Sequence, residues 1–205
     1  MIVIVDIEMG NLGSILNMLK KVKVDAQISS DRKVIAEADK LVLPGVGAFD
    51  NAMEALKSKG LIDTLNHKIL DEKTPILGIC LGLQLFSKRS EEGTLEGLGW
   101  LNAETIRFRF NNGNDNGLKV PHMGWNTVQL RGDPGIFKGI DEPRFYFVHS
   151  YYLVCKNQED VLTTTQYGYD FVSSIHHDNI WGTQFHPEKS HKFGMKIFSN
   201  FVEMR

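Results

Sequence analysis

PILGICLGLQ forms residues 75–84, and Gly78 and Gly82 flank the cysteine at its centre, Cys80. The apolar run at 75–79 predicts a strand buried on both faces, as in a parallel sheet. The largely apolar run at 81–88 predicts a helix. A strand that leads directly into a helix is the repeating unit of parallel α/β sheets. This segment therefore predicts an α/β fold with Cys80 at a strand–helix junction.

Alternation of strands and helices extends through the N-terminal half. Further strands are predicted at residues 2–6, 24–29 and 41–43, and we expect Pro44 to stop the last of them. Apolar residues at helical spacing predict helices at 12–22, 48–56 and 61–70. Alternating strands and helices predict βαβ units around a parallel sheet.

The C-terminal half is rich in β-branched and aromatic residues. Its predicted strands lie at 103–110, 144–155, 161–165, 171–175 and 180–185. Because no helices are predicted between them, we expect antiparallel pairing. Residues 111–117 predict a turn-rich loop, and apolar spacing over 194–202 predicts a final helix. The predicted fold is a mostly parallel central sheet flanked by helices, with an additional antiparallel β portion.

A chain of 205 residues, 42% of them hydrophobic, can bury one substantial core. Its length favours one domain over residues 1–205, with two small domains as the alternative. The formal net charge of -2 lacks the basic excess of a nucleic-acid-binding protein. No run of ~20 apolar residues predicts a transmembrane helix, and the N-terminal apolar run is too short for a signal peptide. Two cysteines do not form a disulfide framework, and seven scattered histidines lack zinc-site spacing. We expect a cytoplasmic protein that uses no nucleic acid, membrane or metal.

The sequence G-x-C-x-G around Cys80 indicates a nucleophile elbow. A sharp strand-to-helix turn is crowded, and glycines remove the Cβ atoms that would clash. The helix N-terminus favours a thiolate there, and its free N–H groups can stabilise an oxyanion. The alternative is a buried structural cysteine. Cys155 fits that alternative, because it lies in an aromatic run without glycine neighbours.

A thiol nucleophile needs a base, and the base needs an orienting group. His186 has the best context, because it follows a predicted strand and precedes Pro187 and Glu188. In an extended backbone, His186 and Glu188 project to the same side. His176 and His177 are alternatives that we expect in a turn. His149 has no acidic residue two positions away.

Six motifs occur in order along the whole chain: DIEMGNL (6–12), LPGVGAF (43–49), GICLG (78–82), VPHMGWN (120–126), FVHSYY (147–152) and QFHPEKS (184–190). Together they resemble the class I (triad) glutamine amidotransferases, and within that family the glutaminase subunits of imidazole glycerol phosphate synthase, which act in histidine biosynthesis. The resemblance implies a flavodoxin-like fold. It also implies hydrolysis of L-glutamine to glutamate and ammonia by a Cys80–His186–Glu188 triad, without a cofactor.

The resemblance assigns further residues. Val46, between two glycines of the family's oxyanion strand, and Leu81 would offer N–H groups to the tetrahedral intermediate. The residues matching those that hold the amino-acid end of glutamine are Gly47, Gln84, Ser150 and Tyr151. The cyclase partner, whose (β/α)8 barrel receives the ammonia, would contact His122, Met123, Trp125 and Asn126. An exposed Met-Trp pair is also a reasonable binding hot spot on chemical grounds. The alternative for this segment is a buried turn with Trp125 in the core.

Three alternatives remain open at the level of sequence. A related glutaminase could serve a sugar amidotransferase instead of the cyclase. A cysteine peptidase or other hydrolase could use the same elbow, and a binding module could have lost catalysis. A glutaminase assay distinguishes a cysteine hydrolase or an inactive binding module from a glutamine amidotransferase. The identity of the co-purifying partner distinguishes a cyclase from a sugar amidotransferase.

Overall fold

The structure is a computed structural model and describes residues 1–110 and 117–204. Its N-terminal half alternates strands and helices, as predicted. The strands are β1 (Ile2–Val5), β2 (Ala26–Ser29), β3 (Lys40–Gly45) and β4 (Ile76–Cys80). The helices are α1 (Leu12–Lys21), α2 (Arg32–Ala36), α3 (Phe49–Ser58), α4 (Leu61–Asn66) and α5 (Leu81–Gln84). The four strands are parallel in the order β2-β1-β3-β4.

The second half adds mainly antiparallel strands. They are β5 (Ala103–Arg107), β6 (His122–Thr127), β7 (Gln129–Leu130), β8 (Arg144–His149), β9 (Tyr151–Cys155), β10 (Val161–Tyr167), β11 (Tyr169–His177) and β12 (Ile180–Thr183). Strand β12 pairs parallel to β4 and antiparallel to β11, so it joins the two portions into one mixed sheet. Strands β6 and β8 form a separate two-stranded ribbon, and helix α6 (His191–Glu203) ends the chain.

The central sheet buries both faces because alternate side chains point to opposite sides. Ile2 and Ile4 pack with α1 and α6 on one face, whereas Val3 and Val5 pack with α3 and α4 on the other. Asn11 caps the N-terminus of helix α1, and its side chain accepts a hydrogen bond from the Ser14 N–H at 3.4 Å. Within the described residues, no helix is long and apolar enough to cross a lipid bilayer.

Strand β3 continues through Pro44 to Gly45, so the prediction that it stops at Pro44 is wrong. The pairing of β3 with β1 ends at Val42, whereas its pairing with β4 continues through Pro44 and Gly45. Proline lacks an N–H donor, and here that loss breaks no pairing with β1. The extension brings Gly45 level with Cys80.

The predicted helix over 81–88 is too long, since α5 ends at Gln84. The Ser87 hydroxyl donates to the Gln84 carbonyl at 2.7 Å, which takes an acceptor that a continuing helix would use. The backbone beyond then bonds to a later segment: Leu101 N–H donates to the Phe86 carbonyl and Lys88 N–H to the Ala103 carbonyl.

Other predicted boundaries also differ from those in the structure. The predicted strand 144–155 breaks at Ser150, because β8 pairs with β6 whereas β9 pairs with β5 and β11. Helix α4 passes at His67–Asp71 into a π-helical turn. The short helix α2 was not predicted; Asp31 caps it by accepting from the Lys33 N–H. Apart from Gly117, the predicted loop 111–117 lies outside the described residues.

Candidate active site

The candidate site lies at the carboxyl ends of three adjacent parallel strands. Cys80 ends β4, Gly45 ends β3 beside it, and Thr183 ends β12 on the other side. His186 follows β12 after two residues. The order β3-β4-β12 therefore brings the turn after Gly45, Cys80 and His186 together across more than a hundred residues of sequence. They lie at the edge where open α/β sheets bind ligands.

The turn at Cys80 is strained and tightly packed. Cys80 has φ 54°, an uncommon conformation for a residue with a side chain. A Cβ atom on Gly82 would lie 1.8 Å from the Leu43 carbonyl oxygen, and one on Gly78 would lie 2.5 Å from the Phe86 ring. Both flanking positions therefore require glycine, as the crowding argument from the sequence predicts.

His186 and Glu188, the predicted base and orienting group, form a buried pair. His186 Nδ1 lies 2.8 Å from Glu188 Oε1, and the two side chains are 1% and 2% exposed. The prediction that an extended backbone aligns them is wrong, because Pro187–Lys189 forms a 3-10 turn. The turn still delivers the contact. The His186 backbone is fixed by bonds of its N–H to the Tyr146 carbonyl and of its carbonyl to the Ser190 hydroxyl.

The charge on His186 is set by its neighbours. Burial disfavours the imidazolium form, but the Cys80 thiolate and the Glu188 carboxylate oppose this effect and raise the pKa of His186 to about 10. With Nδ1 bonded to Glu188, Nε2 is the nitrogen available to a reactant, and within the described residues it has no hydrogen-bond partner. The raised pKa of His186 therefore favours its imidazolium form, with Nε2 placed to give a proton to a reactant.

Cys155 contrasts with Cys80, as predicted. It lies in β9, is 5% exposed and does not line the candidate site. Burial and the nearby Asp160 raise the pKa of the Cys155 thiol to about 12. A thiol with so high a pKa is a poor nucleophile at neutral pH.

A cavity of about 300 Å³ opens above Cys80. All the residues that the family resemblance assigned to the oxyanion and the amino-acid end of glutamine line it: Val46, Gly47, Leu81, Gln84, Ser150 and Tyr151. His186 also lines the cavity with Cys80, and Glu188 contacts His186 Nδ1. The break between β8 and β9 places Ser150 and Tyr151 at the cavity.

Glu92 also lines the cavity, although it was not predicted from the sequence. Its carboxylate accepts from the Phe49 N–H at 2.9 Å, at the start of α3. Asp50 accepts from the Thr94 and Leu95 N–H groups and so holds the loop that carries Glu92. Burial raises the pKa of Glu92. In sequence Glu92 follows another glutamate in a polar stretch, which gives no sign of a cavity residue.

The comparisons with known proteins agree with this geometry. The family model for glutamine amidotransferase class-I matches residues 3–204. The chain belongs to the class I glutamine amidotransferases. It is 52% identical to imidazole glycerol phosphate synthase subunit HisH 2 of Methanococcus maripaludis, over 99% of both chains. It is 49% identical, over 100% of both chains, to the protein of the same name from Pseudomonas aeruginosa.

The amidotransferase fold is also found in solved structures. A glutamine amidotransferase from Thermotoga maritima superposes with a TM-score of 0.64 at 21% identity, covering 91% of this chain and 75% of the other. At this identity the likeness concerns the fold alone. It agrees with the predicted mostly parallel sheet with an antiparallel portion.

The amidotransferase presents the predicted Met-Trp pair on β6. Met123 is 66% exposed and Trp125 44% exposed, so the alternative of a core Trp125 is wrong. The Trp125 indole stacks on the His191 ring with centroids 5.7 Å apart. Asn126 is half-buried and donates to the Gln166 carbonyl. His122 is 3% exposed, so its side chain offers no surface to a partner.

His122 instead forms a buried pair with His149, a cavity residue that the sequence did not favour as the base. His149 Nδ1 donates to the Tyr151 carbonyl at 2.8 Å, which leaves its Nε2 to accept from His122 Nδ1 at 3.0 Å. His122 Nε2 then accepts from Asn126 Nδ2 at 3.3 Å. Burial lowers the pKa of His149 to about 3 and that of His122 to about 4. Both rings are therefore neutral at physiological pH.

This pair makes the protein sensitive to acid. Below pH ~6.5 the unfolded chain protonates both histidines, whereas the folded chain does not until the lowered values are reached, so stability falls as pH falls. Between pH 6.5 and 5 we expect a loss of roughly 1–2 kcal/mol of unfolding free energy for each histidine. Urea unfolding at each pH measures this loss of unfolding free energy. NMR of the folded protein should show the imidazole signals of His122 and His149 unshifted from pH 8 to 5. Titration of both rings near pH 6.5 would contradict the expectation.

Proposed function

We propose that this chain is the glutaminase subunit of an imidazole glycerol phosphate synthase and hydrolyses L-glutamine to glutamate and ammonia. The observation that carries the proposal is the buried His186–Glu188 pair, with its 2.8 Å contact, beside Cys80 at a cavity. Full-length similarity to proteins named as HisH subunits supports the assignment within the family.

The reaction follows from the arrangement of groups. The Cys80 thiolate attacks the side-chain amide carbon of glutamine, and the N–H groups of Val46 and Leu81 stabilise the oxyanion. His186, oriented by Glu188, donates its proton to the departing ammonia. Neutral His186 then takes a proton from water, which attacks the γ-glutamyl thioester and releases glutamate. The thiolate and the imidazolium are restored at the end of the cycle.

The cavity wall suits the amino-acid end of glutamine. Both donor bonds of Gln84 Nε2 are occupied, by the Tyr151 carbonyl and the Gln184 side chain, so Gln84 can offer a ligand only its Oε1 acceptor. Glu92 supplies a carboxylate whose pKa is raised by partial burial. We propose that these acceptors bind the substrate ammonium group, and that Gly47, Ser150 and Tyr151 position the carboxylate. Glu92→Gln should then raise KM for glutamine more than it lowers kcat; an unchanged KM would refute this role.

The partner in this proposal is a cyclase subunit with a (β/α)8 barrel, which forms a heterodimer with this cytoplasmic chain and receives the ammonia. The exposed Met123 and Trp125 on β6 provide an apolar contact surface. In addition, β6 pairs with β8, which ends at the cavity residue His149. A partner that docks on this ribbon therefore lies one strand away from the reaction centre.

The proposal includes activation by the partner. Ammonia released into solvent wastes glutamine, so the isolated chain gains from being idle. Val46 lies between Gly45 and Gly47, and a flip of its peptide would add or remove one oxyanion donor, worth ~10²–10³-fold in rate. A partner that binds one state more tightly shifts that equilibrium. We expect weak activity in the isolated chain and stimulation of at least ~10-fold by the cyclase subunit with its ligand bound.

Steady-state glutamate release, with and without the liganded cyclase, measures this stimulation. Trp125→Ala should weaken the complex or reduce the stimulation, while Cys80 stays reactive towards a thiol reagent. Full activity in the isolated chain would exclude switching while leaving the glutaminase assignment intact.

The alternative acceptor is a sugar amidotransferase, to which a related glutaminase with the same chemistry could supply ammonia. Purification of the tagged chain from its own cells decides between the two: a co-purifying cyclase supports the main proposal, and a sugar amidotransferase replaces it.

A further inference from the structure

Two buried glutamine side chains lie next to the nucleophile. Gln84 on α5 is 4% exposed, and Gln184, which directly follows β12, is 0% exposed. Gln84 Nε2 lies 3.0 Å from the Tyr151 carbonyl oxygen and 3.0 Å from Gln184 Oε1. Gln184 Nε2 lies 3.7 Å from Cys80 Sγ. These contacts link the β8–β9 break, the elbow helix and the nucleophile.

The orientation of both amides follows from hydrogen-bond chemistry. The Tyr151 carbonyl can only accept, so Gln84 must direct its NH₂ group towards it. The second N–H of that group then faces Gln184, which must present its oxygen. This leaves the Gln184 NH₂ group directed at Cys80 Sγ. The Tyr151 carbonyl thus fixes the direction of the donor at the sulfur through two side-chain amides, first Gln84 and then Gln184.

Another polar neighbour of the sulfur, the Val148 carbonyl, has the opposite preference. The Val148 carbonyl oxygen lies 4.0 Å from Cys80 Sγ and can only accept, so it favours the protonated thiol. Gln184 can donate and so favours the thiolate, because hydrogen bonds to ionised groups are the stronger ones. His186, on the same chain segment, stabilises the thiolate by charge. The segment after β12 therefore supplies two groups that favour the ionised nucleophile.

We propose that Gln184 is a further catalytic residue of the glutaminase reaction: its side-chain N–H bonds the Cys80 thiolate and directs it towards the cavity. Gln84 and the Tyr151 carbonyl are positioning groups that fix the Gln184 amide. The inference rests on the proposed function for the reaction. The bond to the sulfur can be tested without glutamine.

The test is the pH dependence of iodoacetamide alkylation at Cys80, in a Cys155→Ala background so that one thiol is followed. Gln184→Met removes the donor at similar volume, and we expect alkylation at pH 6 to fall ~10-fold and its midpoint to move up by about one pH unit. Gln84→Met keeps Gln184 but removes the hydrogen bond that fixes the orientation of its amide. The alkylation midpoint should therefore move less in this variant than in Gln184→Met. Thr165→Val in β10 is the matched control and should cause no shift, because the buried Thr165 hydroxyl has no hydrogen-bond partner among the described residues.

Gln184→Asn provides a second variant that keeps the amide but withdraws it by one methylene, and it should shift the profile in the same direction as Gln184→Met. With the partner present, both variants should lower kcat for glutamine with little change in KM. An alkylation midpoint equal to that of the parent in both folded Gln184 variants would overturn the proposal. If the alkylation midpoint rises in the Gln184 variants as expected but the parent protein has no glutaminase activity, the proposed function is refuted and the Gln184–Cys80 bond stands.

Discussion

Cys80→Ala is expected to lower glutamine hydrolysis by at least ~10⁴-fold, because covalent catalysis is lost with the nucleophile. The fold should persist. Alanine fits a site shaped for a small side chain, and the strain at φ 54° belongs to the backbone conformation and is already present in the native protein. Steady-state glutamate release in the presence of the partner measures the loss, and thermal unfolding verifies the fold.

The control for this variant is Cys155→Ala. Cys155 lies in the core of β9 and outside the cavity, so its removal should leave the chemistry intact at some cost in packing. Retention of more than trace activity by Cys80→Ala would show that the elbow does not carry the nucleophile.

His186→Ala should have the second largest effect, a loss of ~10²–10⁴-fold, since it removes proton transfer to ammonia and from water. Glu188→Gln should cost less. The amide oxygen can still accept from His186 Nδ1, but the carboxylate charge that helps to raise the pKa of His186 is lost. We therefore expect a lower pKa for His186 in this variant, visible as a shift of the rate profile towards lower pH.

The other histidines are placed so that they test this assignment. His176 stacks on Trp181 and bonds the Asp178 carbonyl, and His177 bonds Asp160, so neither lines the cavity. His149 does line it, but its Nδ1–H is bonded to Tyr151 and its pKa is lowered to about 3. Equal and negligible losses for His186→Ala and Glu188→Gln would make His149 the next candidate.

Local patterns predicted the parts of the fold that depend on local chemistry. The βαβ half, the elbow glycines and the antiparallel second half follow from periodicity, crowding and the absence of predicted helices. The predicted contact between His186 and Glu188 is present, although a 3-10 turn brings the two side chains together and not an extended backbone.

The sequence-based predictions fail where contacts between segments distant in sequence determine the local structure. The path of β3 through Pro44 depends on where β1 stops pairing, and the early end of α5 depends on residues 97–103. Glu92 enters the cavity because Asp50, in another element, holds its loop. The neutral His122–His149 pair depends on the pairing of β6 with β8. None of these partners is adjacent in sequence, so periodicity and motif spacing carry no signal of them.

The central claim is that Cys80 is the nucleophile of a glutamine site. The most direct measurement is affinity labelling of the complex with a glutamine analogue that carries a diazoketone in place of the side-chain amide, followed by peptide mass analysis. We expect one adduct, on Cys80, that excess L-glutamine prevents and that Cys80→Ala and His186→Ala reduce or abolish. An adduct on Cys155, or labelling of Cys80 that glutamine does not prevent, would contradict the claim.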